Sequence, residues 1–188
     1  MKYYILFGPP GAGKGTQAKL IAENFNLMHI STGELLRKEI AEGTELGMVA
    51  KHLIEDGHLV PDEMVIGMIQ HTFEQHKEVD GFLLDGFPRT IAQAEKLDEM
   101  LMQKGEQVNK VLSLIIKDST IFERISLRAK LEDRKDDANS TIILNRIEAY
   151  HKKTEPLIDY YRNKGNYFEI QGEQSIEEVF ACICKELE

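Results

Sequence analysis

The sequence predicts an α/β fold, a five-stranded parallel sheet covered by helices on both faces, in one domain of 188 residues. Three observations predict it. Short apolar runs at 3–7, 28–30, 82–84, 111–116 and 167–170 alternate with longer segments of 3.6-residue apolar period, a β-α-β rhythm. The runs are nearly continuous instead of alternating with polar residues, as in strands buried on both faces and joined by right-handed crossovers. A chain of 21.5 kDa also buries roughly 70% of its unfolded surface, which supplies a core for both sides of such a sheet.

Taken in order, the run at 3–7 leads into a Gly-rich loop and a helix, and 28–30 is the second strand. From 32 to about 75 there is no strand pattern, only helical periodicity broken at Gly43 and at 57–61, which predicts a small helical insertion. After the strand at 82–84 and a helix comes the strand at 111–116. Thr120-Ile121-Phe122-Glu123 has the spacing of a capping box and predicts a helix start there. A polar stretch at 130–139 precedes a long helix in which Pro156 predicts a kink. The last strand, 167–170, is followed by a helix carrying Cys182 and Cys184, predicted as two buried thiols and not as a redox or metal pair.

Composition excludes several classes. A net charge of −9 argues against a general nucleic-acid binder or an anionic-membrane binder, because both need a basic face. No apolar run approaches the roughly 20 residues of a spanning helix, and no secretory pattern opens the chain. A cytoplasmic monomer is the default expectation. An anionic ligand must then be held by local cations.

The sharpest motif is Gly8-Pro9-Pro10-Gly11-Ala12-Gly13-Lys14-Gly15-Thr16, directly after the first strand and opening a helix. Glycines let backbone N–H groups converge on phosphate oxygens, the helix N-terminus adds positive potential, and Lys14 adds a mobile charge. Gly15 stands directly after the lysine, where such loops usually carry Ser or Thr, and Thr16 comes one position later. Asp85, at the end of the third strand in Phe82 to Thr90, is the candidate to face Mg²⁺ through its waters, with Arg89 reaching over the sheet edge as a phosphate fork. The window from Arg124 to Lys135 holds five basic residues against two acidic ones in an acidic chain. Arg124 and Arg128 are one helical turn apart, and Arg146 lies on the apolar stripe of Ile143, Ile147 and Tyr150, which turns it towards the protein interior.

Together these residues resemble the adenylate kinase family, within the nucleoside monophosphate kinases, over nearly the whole chain. The resemblance is carried by 8–16, Ser31-Thr32-Gly33-Glu34-Leu35-Leu36-Arg37, Gly57-His58-Leu59-Val60-Pro61, 85–93, Arg134-Lys135-Asp136-Asp137 and Tyr150-His151-Lys152-Lys153-Thr154-Glu155-Pro156-Leu157. It implies a P-loop NTPase-like core, an AMP-binding helical insertion at 31–60 and a short lid at 128–137. It implies ATP phosphate contacts from Gly11, Ala12, Gly13, Lys14, Gly15 and Thr16, with Arg128 and Gln174 also on the ATP side. AMP contacts are implied for Thr32, Arg37, His58, Leu59, Val60, Gly86, Phe87, Pro88, Arg89, Gln93, Arg134 and Arg146. The catalytic cations implied are Lys14, Arg89, Arg124, Arg128, Arg134 and Arg146. Asp133 stands where relatives commonly have Gly before the lid arginine. Long-lid relatives carry an extra sheet, sometimes with cysteine-ligated zinc; here five residues separate Arg128 from Arg134, and no structural zinc is expected.

The implied reaction is reversible transfer of the γ-phosphoryl group of MgATP to AMP, giving two ADP, with Mg²⁺ as the one cofactor. A UMP/CMP kinase is the alternative, separated by Thr32, where such relatives commonly carry Ala, and by Gln93. A guanine-reading nucleotide switch is disfavoured, because Asn109-Lys110 and Asn163-Lys164 are followed by Leu112 and Asn166 where Asp belongs.

Overall fold

The computed structural model describes the backbone of residues 1–132 and 139–188 and, of these, the side chains of all but 130–132. Its sheet has five parallel strands, β1 (Lys2–Phe7), β2 (Met28–Ser31), β3 (Gly81–Asp85), β4 (Lys110–Ile115) and β5 (Tyr167–Gln171), in the order β2-β3-β1-β4-β5. β1 lies between β3 and β4, with Leu6 opposite Asp85 and Leu112. The five strands are those predicted, displaced by at most one residue at either end.

The alternation of side chains along a strand divides β1 between two cores. Tyr3, Ile5 and Phe7 join Phe82 and Leu84 of β3 on one face. That face is covered by α4 (Asp62–Gln75), α5 (Ile91–Met102) and α8 (Leu157–Arg162), through Ile69 and Phe73, Leu97 and Leu101, and Leu157 and Tyr161. Tyr4 and Leu6 face the other way with Leu83, Leu112 and Leu114, under α1 (Lys14–Phe25) and α9 (Ile176–Leu187), which contribute Ala18, Ile21, Val179 and Ile183. A third, small cluster of Ile121, Ile125 and Ile143 joins α6 (Asp118–Glu132) to α7 (Ser140–Ala149). No described helix is long and apolar enough to cross a membrane.

Between β2 and α4 lie α2 (Thr32–Glu42) and α3 (Glu45–Glu55), each capped by a hydroxyl that accepts from a backbone N–H: Ser31 from Glu34 and Thr44 from Gly47. The two helices meet almost backbone to backbone. A Cβ on Gly47 would lie 2.1 Å from the Glu39 carbonyl oxygen and 2.7 Å from the Ile40 nitrogen. Neither atom can rotate away, so Gly47→Ala is expected to push α2 and α3 apart and cost about 1–3 kcal/mol or more. Thermal unfolding of the variant checks this; an unchanged Tm would mean that the helices part freely.

Two local expectations are corrected, and one is met. The capping box at Thr120 does not form: α6 begins at Asp118, and the Thr120 hydroxyl instead donates to Glu173 Oε1 at 2.8 Å, tying α6 to the loop before α9. Cys182 and Cys184 are free thiols as expected, but half-buried instead of buried. Pro156 does interrupt the long helix after α7. The turn Tyr150–Thr154 is π-helical, with the Glu155 N–H donating to the Tyr150 carbonyl at 2.8 Å, and α8 starts beyond the proline.

Candidate active site

β1 ends at Phe7 in the centre of the sheet, where crossovers leave towards opposite edges, and the Gly-rich loop occupies that crevice. Gly13 stands at the N-cap of α1 with φ +90°, a left-handed conformation that glycine adopts without strain. No side chain caps α1 and no acidic residue sits in its first turn. Its unsatisfied N–H groups and its positive dipole end are therefore available to an anion.

Lys14 Nζ donates to the carbonyls of Gly8 and Pro9, at 2.9 Å each. Its pKa is pushed down from 10.5 to about 7, first by burial and then by the neighbouring charges of Arg89, Arg146 and Arg128, with Asp85 opposing. Asp85 ends β3 beside the loop and is 8% exposed. Burial alone would raise its pKa, but the His29 imidazole, with Nε2 3.5 Å from Oδ2, and the charges of Lys14 and Arg89 hold it below the ordinary value. An ionised Asp85 carboxylate and the Thr16 hydroxyl both line this cavity and offer it hard oxygen donors. Such a set fits Mg²⁺ carried by a nucleotide better than it fits a softer metal.

The cavity has a volume of about 840 Å³. On its other side, Gly86 follows Asp85 with φ +80°, and a Cβ there would lie 2.7 Å from Thr32 Oγ1 and 2.9 Å from Arg89 Nη2. The Gly86 carbonyl accepts from Arg89 Nε and from the Thr32 hydroxyl, both at 2.8 Å. Thr154 donates to the Arg89 carbonyl at 2.8 Å, and Arg89 N–H donates to Gln93 Oε1 at 2.7 Å. The Arg89 backbone is thus held by Thr154 and Gln93, and its guanidinium by the Gly86 carbonyl. Arg37 folds back over Gly33, where a Cβ would meet Nη1 at 3.2 Å.

One cavity gathers most of the residues singled out from sequence. Gly11, Ala12, Gly13, Lys14, Gly15 and Thr16 line it, as do Thr32, Arg37, His58, Leu59 and Val60, then Asp85, Gly86, Phe87, Pro88, Arg89 and Gln93. Arg124 and Arg128 of α6 and Arg146 of α7 complete it. Two residues are different. Gln174 is exposed and not on the wall, where Ile176 stands instead. Arg134 lies outside the described residues, as do Asp133 and the rest of 133–137 in the 128–137 segment. Among the described residues no group of three or more His, Cys, Asp and Glu could hold a metal ion.

Sequence reasoning missed Thr154, which holds the Arg89 loop, and Leu127 and Ile176, exposed apolar side chains on the cavity wall. It also missed His29, although a histidine inside an apolar strand two residues before the 31–37 motif was a signal.

The chain is similar to characterised proteins over almost its whole length. A family model described as adenylate kinase matches residues 6–166. An adenylate kinase of Phocaeicola vulgatus is 45% identical over 98% of this chain and 97% of its own length. One of Bacteroides thetaiotaomicron is 44% identical over 96% and 95%, and one of Synechococcus sp. is 46% identical over 95% and 92%. With the phosphate loop, the buried Asp85 and five arginines converging on one cavity, the chain belongs to the adenylate kinase family.

Proposed function

We propose that the cavity binds MgATP on the side of the Gly-rich loop and AMP on the side of α2 and α3, and passes the γ-phosphoryl group between them in line. The chain is a phosphotransferase that converts ATP and AMP to two ADP, reversibly, and a UMP/CMP kinase is not favoured. The observation that carries the residue-level reading is the convergence of Lys14, Arg89, Arg124, Arg128 and Arg146 with Asp85 on one cavity. The transition state spreads negative charge over the equatorial oxygens of the transferring group, so catalysis asks for fixed cations more than for a general base. The acceptor phosphate is already anionic at neutral pH, and no histidine is needed to activate it.

In this reading residues 11–16 cradle the ATP phosphates through backbone N–H groups, and Asp85 holds the waters of Mg²⁺, which supplies charge neutralisation between the phosphates. Arg124 and Arg128 meet the ATP side. Thr32, Arg37, 58–60 and 86–89 hold AMP, and Gln93 meets its base. The segment 31–60 acts as the AMP-binding insertion and 128–137 as a short lid that closes to exclude water. The protein works as a cytoplasmic monomer.

The test is a coupled assay of ADP formation with ATP, Mg²⁺ and a panel of acceptors. AMP is expected to be the preferred acceptor, with UMP and CMP poor. Preference for UMP or CMP would overturn the acceptor assignment, and nucleotide hydrolysis without an acceptor would overturn the transfer reaction.

A further inference from the structure

The Gln93 side chain is 2% exposed and held at both ends of its amide. Its Oε1 accepts from the Arg89 backbone N–H at 2.7 Å, and its Nε2 donates to Asp62 Oδ1 at 2.8 Å. The same Oδ1 accepts from the Thr90 hydroxyl at 3.0 Å, and Thr90 in turn accepts from the Gln93 backbone N–H at 3.2 Å as the N-cap of α5. An amide N–H can only donate and a carboxylate can only accept. The two partners therefore leave a single orientation of the Gln93 amide. Turning it over would set N–H against N–H at Arg89 and oxygen against a carboxylate at Asp62.

Each contact uses one function of the amide, so a lone pair on Oε1 and an N–H on Nε2 remain for a ligand. A 6-aminopurine offers an acceptor at N1 and a donor at N6, whereas a 6-oxopurine of the same shape offers the reverse. An amide free to turn over serves both equally well, but an amide locked in one orientation serves one. Asp62 opens α4 from behind Gln93 and does not line the cavity itself.

We infer that Asp62 is a positioning residue for base choice, locking the Gln93 amide in the orientation that accepts a 6-amino and rejects a 6-oxo purine monophosphate. The inference rests on Gln93 meeting the base of AMP. The test compares kcat and KM for AMP and IMP, with ATP as donor, in the full chain and in Asp62→Asn, Gln93→Leu and the double variant. Asn keeps the size of Asp62 but can donate as well as accept, so the amide can turn over with only Arg89 opposing. Asp62→Ala, run in parallel, repeats the test without an Asn side chain. Asp62→Asn is expected to narrow the AMP/IMP ratio of kcat/KM about tenfold, chiefly through a higher KM for AMP with kcat changed less than about threefold. In the Gln93→Leu background Asp62→Asn should have no further effect on the ratio. If Gln93→Leu narrows the ratio while both Asp62 variants lower Tm or weaken AMP and IMP equally, Asp62 is only a structural residue of α4 and the inference is overturned. If Gln93→Leu leaves the ratio unchanged, Gln93 does not read the base and the underlying assignment falls with it.

Discussion

Lys14→Met is expected to lower kcat by about 100- to 1,000-fold and, at the same time, to raise the melting temperature. The first effect follows from removing a cation from the cavity wall where negative charge develops, a loss of roughly 3–4 kcal/mol at a preorganised site. The second follows from the depressed pKa of about 7. Below pH 7 folding must bury the charged ammonium among arginines, at a cost that an unbranched apolar side chain of similar length avoids. As pH rises from 7 towards 10.5 the unfolded chain keeps a proton that folded Lys14 has shed, so the stability of the wild-type protein climbs with pH in this window. The Met variant lacks that climb. Its advantage should therefore be largest near pH 6, roughly 3–10 °C in Tm, and shrink towards pH 10. Calorimetric scans across that range, beside steady-state kinetics, check both effects. A variant that is inactive and also less stable at pH 6 would mean that the bonds to Gly8 and Pro9 outweigh the cost of burial.

Arg124→Ala and Arg146→Ala should each reduce kcat by about two to three orders of magnitude with the fold intact. Arg124 projects from α6 and Arg146 from α7, so the two approach the cavity from helices joined by the Ile121, Ile125 and Ile143 cluster. Each truncation leaves the apolar contacts of its helix in place, and the Tm should move little. Arg146 also lies close to the insertion, because a Cβ on Gly57 would meet its Cγ at 3.1 Å. Steady-state kcat, read beside Tm, separates the two roles. Near-normal kcat with a Tm several degrees lower would make either arginine part of a structural ion pair.

The fold was legible because a buried parallel strand leaves an apolar run that no surface segment imitates, and Tyr3 to Phe7 and Phe82 to Leu84 are runs of this kind. The phosphate loop was legible for a different reason. Its glycines serve backbone geometry, and Gly13 with φ +90° is a constraint that spacing records directly. Helix α6 was misplaced because the Thr120 hydroxyl had two competing partners, its own helix and Glu173, and a residue 53 positions away cannot be weighed from local spacing. Gln174 is named for the ATP side by the resemblance alone; it is exposed on the loop before α9, while Ile176 at the start of α9 lines the cavity. Asp62 escaped notice for the same reason as Glu173. Its partner Gln93 is 31 residues away, and an acidic residue in the first turn of a helix already has an ordinary explanation in the helix dipole.

The strand that carries the phosphate loop precedes the other four in the chain, yet it occupies the middle of the sheet. During synthesis β1 has no hydrogen-bonding neighbour until Gly81–Asp85 has emerged, and its second edge stays open until Lys110–Ile115 follows. Both pairings are parallel and distant in sequence, the class of contact that forms late because a long loop must close before any ladder bond repays it. Until then a run of large apolar residues with two bare edges, Tyr3 to Phe7, is exposed to whatever other strand is near. The same central placement that buries the nucleotide crevice thus leaves an apolar strand uncovered while the chain folds, and refolding from denaturant is expected to be sensitive to protein concentration.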